Sequence, residues 1–311
     1  MANVLPMARQ VEAVSALVDG CSIRTTERLT GVNRETIGNL ALTVGQACDR
    51  LHDSLMVNLQ CARLEFDEQW DFIHSKQAHL RTTDPIDEWG DVWTFKALAV
   101  NQRAIVSHTT GKRTKENAAA FVKDVRRRIT GRPQVSADGW KPYVNAVEDA
   151  FGMLCDFGLL VKQYEGDEIP EGEKKHRVRY KGAVKVRVSG NPNLETVGTS
   201  YIERQNQSTR MEVRRFTRKT NAFSKKLDNH RAAVALHVAH YNLARVHTTL
   251  RITPGMALGI TDHIWSIEEL IERAMAIPPA PVAPPFAPPS EIFPAAQMPL
   301  PGFVNLRLVK R

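Results

Sequence analysis

At about residue 62 the sequence changes from helical to alternating periodicity, and that change constrains the fold more than any other feature. The stretch RLEFDEQWDFI, residues 63–73, alternates strictly. Leu64, Phe66, Glu68, Trp70 and Phe72 fall on one side, and Glu65, Asp67, Gln69 and Asp71 on the other, as a strand requires. VWTFKALAV (92–100) and RAIVSHTTG (103–111) read as two more strands joined by a short turn around Asn101-Gln102. A helix then starts from the N-cap residue Thr114. It is followed by a short strand QVSAD, a helix WKPYVNAVEDAFG, a strand FGLLVKQY, a polar basic loop (165–183) and a strand AVKVRV.

Three antiparallel strands followed by helix, strand, helix and strand predict an α/β fold. The order is that of a ribonuclease H-like mixed sheet with flanking helices over residues 61–260, carrying a basic insertion at about 165–183. The segment Ser200 to Arg245 reads as mainly helical, with Phe223, Leu227, Val234, Val238 and Tyr241 as its core-facing stripe. Residues 261–276 read as a terminal helix capped by Ser266, with Glu269 at its third position. Ten of the 17 prolines lie between Pro278 and Pro301, so residues 277–311 read as an extended tail without a core.

Ahead of the sheet, residues 1–60 predict a separate all-α domain. Helices ending at Gly20 and Gly31 precede one starting from the N-cap Asn33, a helix-turn-helix pattern. Arg34, Glu35, Thr36 and Asn39 would then lie near base edges. A plain three-helix packing or dimerisation module fits the same pattern, because residues 1–60 carry 5 Arg against 6 acids and so have no basic footprint of their own.

The positive charge sits elsewhere. From Lys174 to Arg231 there are 16 Lys/Arg against 4 Asp/Glu, an excess of 12 in a chain whose net charge is +8. Such a concentration points to a polyanionic partner, with nucleic acid the first candidate. The four cysteines, Cys21, Cys48, Cys61 and Cys155, form no CxxC pair and read as reduced, partly buried thiols. The sequence holds no run of about 18 apolar residues, and the expectation is a cytoplasmic protein without a membrane segment.

Asp67 in mid-strand, Asp138 at a strand end before Gly139, and Glu203 at a helix start are placed to converge in such a sheet. Oxygen ligands of this kind suit a hard divalent cation. Glu65 and Asp71 share the inferred face of Asp67, so periodicity does not choose among them. Trp140, Lys141 and Tyr143 are candidates for contacting a nucleotide beside the site, although Trp and Tyr on a helix are more often core.

The blocks FDEQWDFI, SADGWKPYVNAV and TSYIERQNQSTRMEVRRFTRKTNAFSKK resemble the DDE-class bacterial insertion-sequence transposases, nearest to the insertion-sequence-one type, over roughly Arg63 to Ile260. The resemblance implies Asp67, Asp138 and Glu203 as a catalytic triad holding two Mg²⁺ (or Mn²⁺) ions. It also implies cleavage of element ends with transfer of their 3′-hydroxyls to target DNA, at least a homodimer, and nucleoid association when bound. Arg210 falls where related enzymes carry a basic DNA contact. Lys141, Arg204, Asn206, Arg214, Arg215, Arg218 and Lys219 complete the expected DNA-binding set. The chain departs from the type in lacking a cysteine-bearing zinc module and in its 165–183 loop and proline-rich tail. Two rival readings use the same residues: a helix-turn-helix regulator on a catalytically silent body, and a structure-specific nuclease without strand transfer.

Overall fold

The structure, a computed structural model, describes residues 5–165, 179–217 and 220–279. The expected proline-rich tail beyond residue 279, most of the basic loop, and Arg218 and Lys219 lie outside the described residues.

Three helices open the chain: α1 (Met7–Val18), α2 (Ile23–Thr30) and α3 (Arg34–Leu55). Their boundaries follow from local chemistry. The Ser22 side chain accepts from Thr25 N–H to cap α2, Gly31 closes α2 in the left-handed conformation (φ 69°), and the Asn33 side chain accepts from Glu35 N–H to start α3. A short strand β1 (Leu59–Gln60) leads into β2 (Arg63–Ile73), β3 (Gly90–Ala99) and β4 (Ala104–Gly111). Next come α4 (Lys115–Arg128), β5 (Ile129–Thr130), β6 (Gln134–Asp138), α5 (Pro142–Phe151), β7 (Asp156–Glu165) and β8 (Arg179–Ser189). The chain continues through α6 (Ser200–Glu212), α7 (Leu227–Ala239) running on into a π-helical turn at His240–Ala244, α8 (Pro254–Ala257) and α9 (Ile267–Met275).

The main sheet has six strands in the order β4-β3-β2-β6-β7-β8. β2, β3 and β4 are an antiparallel meander, β6 lies parallel to β2 and β7 parallel to β6, and β8 returns antiparallel on β7. This is a mixed α/β sheet, and its strand order is compatible with the expected ribonuclease H-like arrangement. Alternate residues serve opposite faces. Phe66, Phe95, Ala97 and Ala99 pack with Phe121, Val122, Tyr143 and Val147 of α4 and α5. Leu98 and Ile105 pack with Ile202, Val234 and Val238 of α6 and α7.

The first three helices join this body. Val14, Val44, Cys48 and Leu51 of α1 and α3 share one apolar cluster with Ala235, Leu236, Trp265, Leu270 and Ile271 of α7 and α9. Gly45 marks the closest approach, since a Cβ there would stand 2.3 Å from the Ala232 carbonyl oxygen of α7.

Ser200 to Arg245 is mainly helical, in separate pieces: α6 ends at Glu212, a 3₁₀ turn spans Arg214–Phe216, and α7 starts at Leu227. Val213 and Phe216 are both buried with Val234 and Tyr241, which folds the chain inward between the two helices. Arg214 and Arg215 therefore lie in the 3₁₀ turn after α6 and not on that helix.

Candidate metal centre

The polar side of β2 does not face solvent. It is the seat on which α6 docks, and the contacts recur every helical turn. Glu65 Oε2 accepts the backbone N–H groups of Tyr201 and Ile202 at 2.9 Å each, satisfying two of the free donors at the start of α6. Asn206 Nδ2 donates to Asp67 Oδ2 at 2.7 Å, and Gln69 Nε2 donates to the Asn206 carbonyl at 3.3 Å. Lys96, opposite Asp67 on β3, is fully buried and gives its ammonium to Gln69 Oε1 (2.9 Å), Gln205 Oε1 (2.8 Å) and Thr209 Oγ1 (3.0 Å). Burial depresses this lysine to about 7.

β2 and β6 pair from Arg63↔Gln134 to Glu65↔Ser136 and no further, leaving Asp67 and Asp138 beyond the last rung. There Asp67, Glu68 and Asp138 each bring one carboxylate oxygen within 4.8 Å of the other two. Asp138 Oδ1 also accepts the Trp140 N–H at 3.0 Å, the local turn that ends β6. Glu68 is held from the other side of the sheet. Arg113 Nε donates to its Oε1 at 2.7 Å, the buried Tyr143 hydroxyl donates to its Oε2 at 3.4 Å, and the Arg113 guanidinium lies 4.4 Å above the Trp140 ring. Burial pushes Asp67 up to about 6 and Glu68 up to about 7, and the charge of Asp138 adds to both. Arg113 is the cation at the group, on Glu68 and 4.0 Å from an Asp138 oxygen, and the three carboxylates that converge are ligands of the kind that suits a hard divalent cation.

Glu203 lies at the edge of this group. Its charge contributes to the raised Asp67 value, but its Oε1 accepts from Lys162 Nζ at 2.7 Å and from Thr199 Oγ1 at 3.0 Å. The structure thus brings Asp67 and Asp138 together, adds Glu68, and holds Glu203 beside them in an ion pair.

No protein-family model and no curated protein matches the chain. Among solved structures, a piggyBac transposase in a synaptic complex with hairpin DNA aligns over 87% of this chain and 70% of that chain, at 12% identity and a TM-score of 0.40. A likeness this distant says nothing about chemistry, which rests on the geometry of the site alone.

The expected DNA-binding residues divide into four groups. Arg34, Glu35, Thr36 and Asn39 are exposed at the start of α3, and Lys141, Arg204 and Arg214 are exposed as well. Asn206 and Arg215 turn inward instead. Asn206 is buried on Asp67, and Arg215 donates to Ser224 Oγ at 3.2 Å in a pocket with Asp71, where burial lowers its pKa. Arg210 is half-buried and engaged within the fold, and Arg218 and Lys219 fall outside the described residues.

Tyr143 is core, as its helical position favoured. Sequence reasoning missed Glu68, Lys96 and Lys162. The signal for Glu68 was present, because it is the one charged residue on the apolar stripe of β2.

Proposed function

We propose that this chain is a metal-dependent DNA transposase of the DDE class, with a ribonuclease H-like catalytic core of the insertion-sequence-one type. The observation that carries the reading is the meeting of Asp67, Glu68 and Asp138 within 4.8 Å where two parallel strands part, in a chain whose positive charge is concentrated between Lys174 and Arg231. Asp67, Asp138 and Glu203 would hold two Mg²⁺ or Mn²⁺ ions, with Glu203 released from Lys162 to join them. Bound divalent ions supply Lewis acidity at a phosphodiester and stabilise its attacking and leaving oxygens.

The chain's own residues do the rest. Asn206 orients the Asp67 carboxylate, and the Trp140 N–H fixes that of Asp138. Arg113 and Tyr143 hold Glu68 in place. Lys141 and Arg204, both exposed, position backbone phosphates of double-stranded DNA. The α2–α3 pair acts as the end-reading helix-turn-helix, presenting Arg34, Glu35, Thr36 and Asn39. Joining two ends implies a homodimer or higher homo-oligomer on DNA.

The test is a DNA cleavage and joining assay with the element's own flanking ends, comparing wild type with Asp67→Asn. The substitution removes a ligand oxygen but no phosphate contact. Mg²⁺-dependent cleavage should disappear while DNA binding stays within about threefold of wild type. Wild-type cleavage by the Asn variant would sink the assignment.

A further inference from the structure

β8 is the outer strand of the sheet, and most of its side chains are exposed, although Val188 packs on the core and Lys185 Nζ donates to the Glu195 carbonyl at 2.6 Å. Arg179, Tyr180, Lys181, Ala183, Val184, Lys185, Val186 and Arg187 are all exposed, and the strand carries four cations and no acid. Its position relative to the carboxylates is set by register. Asp138 pairs with Leu160, and Leu160 with Lys185, so one rung of the sheet runs from the candidate metal centre to β8. Two inter-strand steps place the Lys185 backbone about 10 Å from that of Asp138.

β6 ends at this rung, but β7 and β8 do not. From Val161↔Val184 to Glu165↔Arg179 they pair only with each other, as a two-stranded ribbon that continues past the carboxylates. Five residues of ribbon extend about 17 Å. The ribbon is tied to the site at its base, where Lys162 of β7 meets Glu203 of α6.

We propose that the β7–β8 ribbon is a track for double-stranded DNA, with Arg179, Lys181, Lys185 and Arg187 contacting the phosphates of the duplex flanking the phosphodiester held at the carboxylates. This rests on the reading of the carboxylates as a DNA-cleaving centre. Charge complementarity selects the occupant. A strand with four cations and no acid, beside a run of carboxylates, suits a polyanion that must approach the carboxylates without being repelled. Cations on an edge strand also discourage pairing with other chains, and the test must separate the two roles.

The experiment measures binding of the full-length protein to a short random-sequence duplex in EDTA, over a salt series from about 50 to 300 mM. The variant is R179A/K181A/K185A/R187A, and a control, K115A/K123A, removes two cations from α4 on the opposite face of the sheet. Analytical ultracentrifugation of each protein runs alongside.

The ribbon variant should bind at least about tenfold more weakly at 0.1 M salt, with a log–log salt slope shallower by about 0.9 for each phosphate no longer held, roughly 2 to 4 in all. The control should keep both slope and affinity. A wild-type slope in the ribbon variant overturns the inference, and so does self-association of that variant with DNA affinity unchanged, which would make the cations guards of a strand edge. If the wild type itself binds no duplex, the DNA-cleaving reading fails along with this one. If it binds in EDTA, and cleaves in the separate Mg²⁺ assay, while the ribbon variant matches its binding, only the ribbon inference fails. Circular dichroism melts establish that the variant is folded. If it is not, the pair K185A/R187A, on the part of β8 paired to the sheet, is held to the same slope criterion.

Discussion

The side-chain amide of Asn206 donates to Asp67 at 2.7 Å, while its own carbonyl oxygen is buried with no hydrogen-bond partner among the described residues. A buried carbonyl oxygen without a partner costs free energy, which the other half of the amide offsets when it donates to a charged acceptor. Asp67 provides that acceptor, and the pair joins α6 to β2 at the candidate metal centre.

Replacing Asn206 with Ala should therefore destabilise the protein by about 1–3 kcal/mol, the usual cost of losing a hydrogen bond to a charged group. The hydrogen bond also holds the Asp67 pKa down against burial, so its loss should raise that pKa further and weaken divalent-ion binding at neutral pH. Urea unfolding and Mn²⁺ titration check the two halves separately. An unchanged midpoint in urea would mean that the bond contributes nothing to the docking of α6.

Glu68 and Glu203 compete for the place of third carboxylate. Glu68 is within 4.8 Å of both aspartates but fixed by Arg113 and Tyr143, whereas Glu203 is half-exposed and bound to a lysine on a neighbouring strand. An exposed ion pair is worth about 0–1 kcal/mol, so a divalent cation displaces Lys162 at little cost. Glu203→Gln should then reduce cleavage by about a hundredfold or more, since each lost ligand removes several kcal/mol of transition-state stabilisation. Glu68→Gln should cost closer to tenfold. Single-turnover cleavage rates decide it, and the reverse order would move the third ligand to Glu68.

Asp71 gives a pH dependence whose sign can be worked out. Its carboxyl accepts the Phe72 N–H at 2.9 Å, and burial pushes it up to about 7, against about 4 in an unfolded chain. Below about pH 4 it is protonated in both states. Between about 4 and 7 the folded protein holds a proton that the unfolded chain has released, so this group's contribution to stability falls as pH rises through that window. Removing it with Asp71→Asn should make the variant gain on wild type across pH 4 to 7, with a flat difference on either side. The difference is the useful quantity, because buried His52 and His237, held well below their ordinary value, tilt both proteins the other way. A difference that is constant across the window would show that Asp71 ionises normally.

The sequence made β2 legible because strict alternation has no other simple explanation, and β6 was bounded at Gln134 and Asp138 by the same logic. It was silent on what covers the polar face. Period alone does not show what meets Glu65, Asp67, Gln69 and Asp71, and α6 and the chain after it meet this face with Asn206, Gln205, Thr209 and Arg215. Two complementary polar faces leave no hydrophobic periodicity to find. The break after Glu212 was hidden for a related reason. No glycine or proline marks it, and only the burial of Val213 and Phe216 turns the chain. Glu68 was assigned to the apolar side by its spacing, and its convergence with Asp138 depends on a strand distant in sequence.

Gly45 tests how far the first three helices are part of the same folding unit. A Cβ at this position would meet the Ala232 carbonyl oxygen at 2.3 Å and the Ala232 Cβ at 2.7 Å. Backbone cannot yield as a flexible side chain does, so α3 and α7 would have to separate. In isolation, Gly→Ala in a helix gains about 1 kcal/mol. Overpacking costs about 1–3 kcal/mol, and here it should win. Gly38, on the same helix, has nothing within 4 Å of its would-be Cβ and serves as the control. Gly38→Ala should stabilise by up to about 1 kcal/mol, and Gly45→Ala should destabilise by about 1–2 kcal/mol. Because Val44, Cys48 and Leu51 share a core with α7 and α9, the Gly45 variant should lower the melting temperature of the whole chain in a single transition. A separate early transition, leaving the sheet at its wild-type melting temperature, would show that α1 to α3 unfold as a domain of their own.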